Sequence, residues 1–364
     1  MVDTRRLDRD GLRRFCLSVY ARLGLPDEDA GYSADVLIGA DVRRIPTHGV
    51  RLLPRHVEYL RSGIIDAAAR VEVLQETPTT LTLDAHHAIG TAVGVRTMRA
   101  LMDKAAVSGA AFASVRDSTH FGIAGYHASL ALERGMIGIA MTNANPVGLP
   151  TFGAAGMFGT NPIAFAAPAD REAAFVLDMA TTVITNGTIE RAQDLGLPLL
   201  PGWTVDRRST DATDPRAVCP GLVAGSHFIL PLGGWGEEHG GHKGYGLAVL
   251  VDILCAALCG GPLGPDVRTP TAAYPGPSLA HFFGAIDIAA FREPAAFRAD
   301  MDRMLGRLRA CPTAPGQERV YYAGLKEFEQ MRECERLGVP VDGEVREALD
   351  ALGVELHVPP PERA

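Results

Sequence analysis

Gly153-Ala154-Ala155-Gly156-Met157-Phe158-Gly159 is the stretch of this 364-residue chain that comes nearest to a dinucleotide-binding fingerprint. Its glycine spacing departs from G-x-G-x-x-G, and no helical periodicity follows it. The usual strand–turn–helix cradle for a pyrophosphate is therefore not expected. A second glycine-rich run, Gly240-Gly241-His242-Lys243-Gly244-Tyr245-Gly246, is not a P-loop, because it lacks the Ser or Thr that would hold magnesium. It does place backbone amides and one ammonium at a helix start, where anions are stabilised. The plainer alternative is a tight turn into the helix with a solvated Lys.

On either side of these runs the periodicity changes. Leu7, Leu12, Phe15, Cys16, Val19, Tyr20 and Leu23 recur at three- and four-residue steps, which marks an amphipathic helix. Pro26 with Asp27, Glu28 and Asp29 signals a second helix start, since acids favour the positive end of the dipole. A third helix is predicted over 54–61. Segments 71–74 and 80–84 alternate with period two, as half-buried strands do. Helices are then predicted over 91–107 and 124–134, with strands over 110–115, 136–142, 163–167 and 175–177. Glycine and proline punctuate 146–162 and 230–246, and loops of that length in a compact domain are usually functional. An apolar helix over 245–258, a strand over 281–288 and charged amphipathic helices over 294–308 and 318–337 complete the reading. Both ends are helical around a mixed central sheet, and the proline-rich tail after Val358 is expected to fray.

Composition narrows the class. The chain is 47% hydrophobic and 21% charged, with a net charge of -8, so its length suggests two structural units around ample core. The acidic balance argues against nucleic acid as a partner. The longest apolar run, 247–259, is interrupted by Asp252 and falls short of the ~20 residues a membrane span needs. No apolar core follows the charged first residues, so no secretory leader is expected, and a cytoplasmic location is. Six cysteines in such a chain make no disulfide framework; Cys255 and Cys259 read as core. Glu237, Glu238, His239 and His242 read as a solvated loop, so no metal site is expected. Of 35 basic residues only Lys104, Lys243 and Lys326 are lysines, which singles out Lys243 in its glycine-rich setting.

Three further segments carry chemistry. Arg116-Asp117-Ser118-Thr119-His120-Phe121-Gly122 places a His at the end of a predicted strand, where it suits a general acid or base. Pro46-Thr47-His48-Gly49 does the same at a helix junction. Leu177-Asp178-Met179-Ala180-Thr181-Thr182 ends an apolar strand on an acid. Singly, each has a structural alternative: a satisfied His, or a helix N-cap.

Together these segments resemble the malate/L-lactate dehydrogenase family that lacks a Rossmann domain. That family also holds ureidoglycolate, sulfolactate, diketogulonate and Δ1-piperideine-2-carboxylate oxidoreductases. The matching segments include Thr47-His48-Gly49-Val50, Asp117 to Gly122, Gly159-Thr160-Asn161-Pro162, Leu177 to Thr181, Pro201-Gly202-Trp203, Leu230 to Gly234 and His242 to Leu247, in family order. The resemblance implies an α/β protein with a central, largely antiparallel sheet that binds NAD or NADP in a non-Rossmann manner. It implies an N-terminal helical segment (1–75), a cofactor-binding mixed-sheet domain (76–290) and C-terminal helices (291–364) packed with the N-terminal segment. It also implies a homodimer acting on a small molecule, by hydride transfer at C2 of a 2-hydroxy or 2-oxo acid or a cyclic imine. By position, His120 matches the acid/base His, with His48 and Asp178 as further catalytic residues. Thr47, Arg51 and His56 fall on the substrate side. Asn143, Ala144, Asn145, Thr160, Asn161, Asp178, Met179, Ala180, Lys243, Pro315, Gly316 and Gln317 match cofactor contacts.

The departures cluster near the substrate. An Arg that helps hold the substrate carboxylate in relatives aligns with Leu52, flanked by Arg51 and Arg55. A one-residue shift on a helix turns a side chain by ~100°, so Arg51 is no simple replacement. The family Tyr appears as His56, Ser as Thr47, and Gly-Lys as Gly187-Thr188. The expectation is an active oxidoreductase with a substrate shifted from malate or lactate. The alternatives are a cyclic-imine reductase and a redox-inactive scaffold that binds a metabolite.

Overall fold

Capping and helix-breaking residues set many boundaries in the computed structural model, which describes residues 4–267 and 279–364. Strand β1 (Thr4–Leu7) leads into α1 (Arg9–Arg22), whose N-cap Asp8 accepts the Gly11 N–H at 2.6 Å. Helix α2 (Asp27–Val42) opens on three acids, and two 3-10 turns, Pro46–His48 and Val50–Leu52, precede α3 (Leu53–Arg61). The chain continues through β2 (Glu72–Glu76), β3 (Thr80–Asp84), α4 (Gly90–Ser108), β4 (Ala110–Ser118), α5 (Ala124–Leu130), β5 (Ile137–Thr142), β6 (Ile163–Ala167) and β7 (Phe175–Met179). A small lobe contributes α6 (Asn186–Asp194), β8 (Thr204–Asp206), α7 (Pro215–Val223) and β9 (His227–Ile229). Helix α8 (Gly241–Asp252) runs into a π-helical turn, Ile253–Ala257, before β10 (Leu279–Ile286). Last come α9 (Pro294–Arg309), α10 (Leu325–Leu337), β11 (Val339–Asp342) and α11 (Gly343–Leu356).

The main sheet has the order β2-β3-β4-β10-β5-β6-β7, and every neighbouring pair is antiparallel except β3 and β4. Strand alternation sorts side chains to its two faces. Phe283 and Ala285 of β10 pack with Val93, Met98 and Leu101 of α4 and Ala128 of α5, whereas Ala280 and Phe282 pack with Val251, Cys255 and Cys259 beyond. Ser114 of β4 donates its hydroxyl to the Cys255 carbonyl at 2.9 Å, so the sheet itself satisfies a carbonyl in the π-helical turn. A separate core joins Leu12, Phe15 and Tyr20 of α1 to Val339, Val341, Leu349 and Leu352 near the C-terminus. Among the described residues, no helix is long and apolar enough to cross a membrane.

Several features depart from the sequence reading. Residues 318–324 are not helical: Gly324 has φ +93° and would put a Cβ 2.9 Å from Val176 N, so α10 starts at Leu325. The predicted 124–134 helix stops at Leu130 and tightens into a 3-10 turn, Ala131–Arg134. The tail does not fray, because Asp8 N–H donates to Glu362 O at 3.1 Å and Ala364 N–H to Arg6 O at 3.2 Å. Strands β1 and β11 pair across nearly the whole chain, which no local pattern announces. Lys104 Nζ reaches Glu76 at 2.5 Å and Thr77 O at 3.0 Å. Leu305 of α9 packs against Tyr322 and Leu325, with Ala169, Ala173 and Phe175 of the sheet side around it.

Candidate active site

Two turns bring two histidines together. Thr47 and His48 lie on the 3-10 turn after α2, and the next residue must be small: a Cβ on Gly49 would fall 1.8 Å from Asp41 Oδ1. Asp41 sits in that space and accepts the Val50 N–H through Oδ2 at 2.8 Å. Burial pushes its pKa up to about 8 against the pull of that bond, so the carboxyl is protonated at neutral pH. His120 follows β4 on a turn anchored at each side. Thr119 Oγ1 accepts the Gly90 N–H at 2.8 Å and donates to Ala88 O at 3.2 Å. The Phe121 carbonyl is hydrogen-bonded to His127 Nε2 at 2.7 Å, and the Phe121 ring is sandwiched between His127 and His281, with centroids 4.8 and 4.6 Å away.

The His48 and His120 rings stack with centroids 5.4 Å apart and planes 30° apart. Thr47 Oγ1 and His48 Nδ1 share a hydrogen bond of 2.8 Å. Gly122 N–H donates to His120 Nδ1 at 3.2 Å, so the neutral ring carries its proton on Nε2. Both rings border a cavity of about 440 Å³, on which His48 is half-buried and His120 is exposed. Desolvation, with Arg55 nearby, pulls the His48 pKa down to about 4. It holds His120 well below the ordinary histidine range, with His48, His56, Arg55 and His281 adding like-charge opposition.

Thr47, His48, Arg51, His120, Ala144, Asn145 and Thr160 all line this cavity. Other expected site residues lie elsewhere. His56 is buried against Tyr20, whose hydroxyl meets His56 Nδ1 at 2.7 Å, and it borders only a 20 Å³ annex shared with His120. Asn143 and Asn161 are fully buried and structurally engaged. Asn143 donates to Pro262 O and accepts from Ala280 N, while Asn161 bonds Ala248 O, Asp252 and Ala144 N. Asn161 thus fixes the Ala144 edge of the cavity rather than facing it. Gly159 permits the same wall, because a Cβ there would fall 2.4 Å from the Ala144 carbonyl carbon.

Asp178 lines a second cavity of about 570 Å³, formed with Arg43, Leu177, Gly324 and Phe328. Its Oδ2 accepts the Gly125 N–H at 2.8 Å, and the surrounding protein raises its pKa to about 6 although the carboxyl opens on the cavity. Met179 ends β7 beside it, and Ala180 follows. Lys243 is exposed in the first turn of α8, and Pro315, Gly316 and Gln317 form an exposed turn. The sequence reading missed Tyr59, Thr185, Asn186 and Glu190, which complete the histidine cavity. The last three belong to the start of α6, and Thr185 preceding Asn186-Gly187 was their available signal, an N-cap residue type.

A stacked histidine pair, arginines at the wall and the start of α6 form an arrangement that can do acid–base chemistry on an anionic small molecule. The profile of the malate/L-lactate dehydrogenase family matches residues 7–350, and the chain belongs to that family. It is 38% identical over 353 residues to a malate dehydrogenase of Pyrococcus horikoshii, covering 97% of this chain and 96% of the relative. It is 29% identical over 350 residues to the NAD(+) ureidoglycolate dehydrogenase of Escherichia coli K12, covering 95% and 96%. The crystal structure of malate dehydrogenase from Entamoeba histolytica superposes with a TM-score of 0.95 at 31% identity, covering 98% and 99%.

Proposed function

We propose that this protein is an NAD- or NADP-dependent oxidoreductase that acts at C2 of a 2-hydroxy or 2-oxo acid, or a close derivative, in the His48–His120 cavity. The observation that carries the reading is the His120 ring bordering that cavity on a turn held by Thr119 and Phe121. The donors present suit a nicotinamide cofactor held without a fingerprint turn. Thr160, Asn186 and the first peptide groups of α6 border the cavity, and helix-start amides favour phosphate or carboxylate oxygen. When bound, the nicotinamide supplies or takes up the hydride.

The chain manages the proton. His120 Nε2–H polarises a substrate carbonyl and stabilises the oxygen as negative charge develops. Handing that proton over requires a second proton on Nδ1 and release of the 3.2 Å Gly122 contact. His48, held neutral beside it and tied to Thr47, keeps the pair from carrying two positive charges. Asp178, Met179, Ala180, Lys243 and 315–317 are proposed as cofactor contacts on the family resemblance, and the working protein as a homodimer. On the same resemblance, Leu52 and Thr188 stand where the family pattern has basic residues, which is the ground for proposing a substrate shifted from malate or lactate.

The test is direct. NADH or NADPH at millimolar concentration should quench tryptophan fluorescence and raise Tm, and a panel of 2-oxo acids should then reveal turnover. If neither cofactor binds, the reading is wrong; turnover of malate or lactate at ordinary rates removes the shifted substrate.

A further inference from the structure

Two histidines that the proposed chemistry does not use lie against the His120 turn. His127 of α5 and His281 of β10 are fully buried, and neither borders the histidine cavity. Burial keeps both rings neutral, with pKa values of about 4 and about 3, so neither brings charge to the site. Both stack on Phe121, His281 with its plane 8° from that ring and His127 at 28°. His127 Nε2 meets the Phe121 carbonyl at 2.7 Å, and a carbonyl only accepts, so Nε2 carries the ring's proton. His127 Nδ1 is then a bare acceptor, buried and without a hydrogen-bond partner. Burying such an atom costs free energy that a phenyl ring would not incur. What the imidazole adds over a phenyl is the single bond to the Phe121 carbonyl.

Each histidine is also fixed from its far side. A Cβ on Gly94 of α4 would fall 2.5 Å from His127 Cε1, so that helix closes on the ring. His281 Nδ1 shares a 2.8 Å hydrogen bond with Thr142 Oγ1 of the neighbouring strand β5. The β10–β4 register shifts between Leu279 and His281, and Asp117 of β4 has φ +50°. The strand therefore bends beside His281, just where the chain leaves it for His120.

We propose that His127 and His281 are positioning residues, which grip Phe121 by its ring and carbonyl and so set where the adjoining His120 ring stands. The catalytic consequence rests on the oxidoreductase reading, but the placement of the ring does not. Gly122 N–H donates to His120 Nδ1 at 3.2 Å, so that amide reports directly on the ring. A turn that slips breaks the contact and opens the amide to exchange with solvent, whether or not any substrate is turned over. A group that only fills the core would change Tm and leave this amide alone.

The experiment reads hydrogen exchange of the Gly122 amide by NMR, together with kcat, KM and cofactor affinity on the 2-oxo acid that the substrate panel identifies. H127F keeps a ring on Phe121 and loses the donor. Its Gly122 amide should exchange roughly 10-fold faster or more and kcat should fall by a similar factor, with KM and cofactor affinity within about threefold of wild type. H127Q offers an amide N–H in place of Nε2–H and should recover most of both losses. H281L removes the other half of the stack and should behave as H127F does. G94A covers a failure of H127F to fold: its methyl displaces the His127 ring while every group of the clamp is retained, and alanine suits a helix. Variants that lower Tm yet leave Gly122 exchange and kcat at wild-type values overturn the proposal, as does an H127Q no better than H127F. Wild type that binds neither cofactor overturns the oxidoreductase reading instead, and Gly122 exchange then decides the placement of the ring by itself.

Discussion

The two cavities of this molecule place titratable groups under the same physics with opposite chemical results. In the cavity of about 440 Å³, the surrounding protein disfavours charge on the histidines; in the one of about 570 Å³, it lifts the Asp178 carboxyl, itself exposed on the cavity, to about 6. Both shifts favour the neutral form, as desolvation must. The larger cavity is bordered by Leu132, Val176, Leu177, Phe328 and Met331, with its charged groups gathered around Arg43, Asp178, Lys326 and Glu327. The smaller one draws His48, His120, Asn145, Thr160 and Asn186 from five separate stretches of chain. Convergence of polar groups, not volume, marks the place for acid–base work.

The difference can be broken most sharply at His120. His120→Ala should lower kcat by ~10²–10⁴-fold with cofactor affinity nearly unchanged, as expected for a lost acid–base group. Asp178→Asn, in contrast, should act on cofactor affinity and leave the pH dependence due to His120 in place. An Asp178→Asn protein with the His120→Ala phenotype would merge the two cavities into one functional unit. Next in size is Gly49→Ala. Its methyl has no room beside Asp41, so a loss of about 2–4 kcal/mol is expected, read as a fall in Tm with disturbance of His48.

Acidification separates the histidines from the carboxyls. His48, His56 and His127 titrate in the fold at about 4 and His281 at about 3, against ~6.5 in an unfolded chain. Between those values the unfolded chain binds protons that the fold refuses, so stability is lost as pH falls from about 6.5 towards 4. Asp41 and Asp178 act in reverse. Their raised pKa values of about 8 and about 6 contribute stability that is complete below ~4 and is lost as pH rises through those values. The four histidines outnumber the two acids, so Tm should drop between pH 6.5 and 4.5, and a flat or rising Tm over that window would show the histidines to be solvated. The smallest effect belongs to the turn before His120. Thr119→Val removes the acceptor of the Gly90 N–H and should cost about 1–2 kcal/mol in chemical denaturation.

Much of this was legible along the chain. Period-two alternation marked β3, and three- and four-residue steps marked α1, because those elements bury one face; β2, read at 71–74 as half-buried in the same way, is instead exposed along its whole length. The α6–β9 lobe was not legible, since strands of three residues such as Thr204–Asp206 carry no periodicity. Nor was the 318–324 error avoidable by pattern alone: the charges alternate as on a helix, and only the close approach of Gly324 to Val176 forbids one. The β1–β11 pairing and the docked tail depend on contacts spanning the whole chain.

The sequence alone determined which side chains carry chemistry. Thr47-His48-Gly49 and His120 each kept a structural alternative when read alone, and it was the resemblance of all the segments together to the malate/L-lactate dehydrogenase family that pointed to a nicotinamide enzyme. Tertiary structure decided what those groups can do. It took Asn143 and Asn161 into the framework, brought Arg51 to Asp194, and set Asp178 in a different cavity. The reason is physical. A residue's chemical type is local, but its pKa and partners depend on desolvation and on charges a few ångströms away, which only packing brings there.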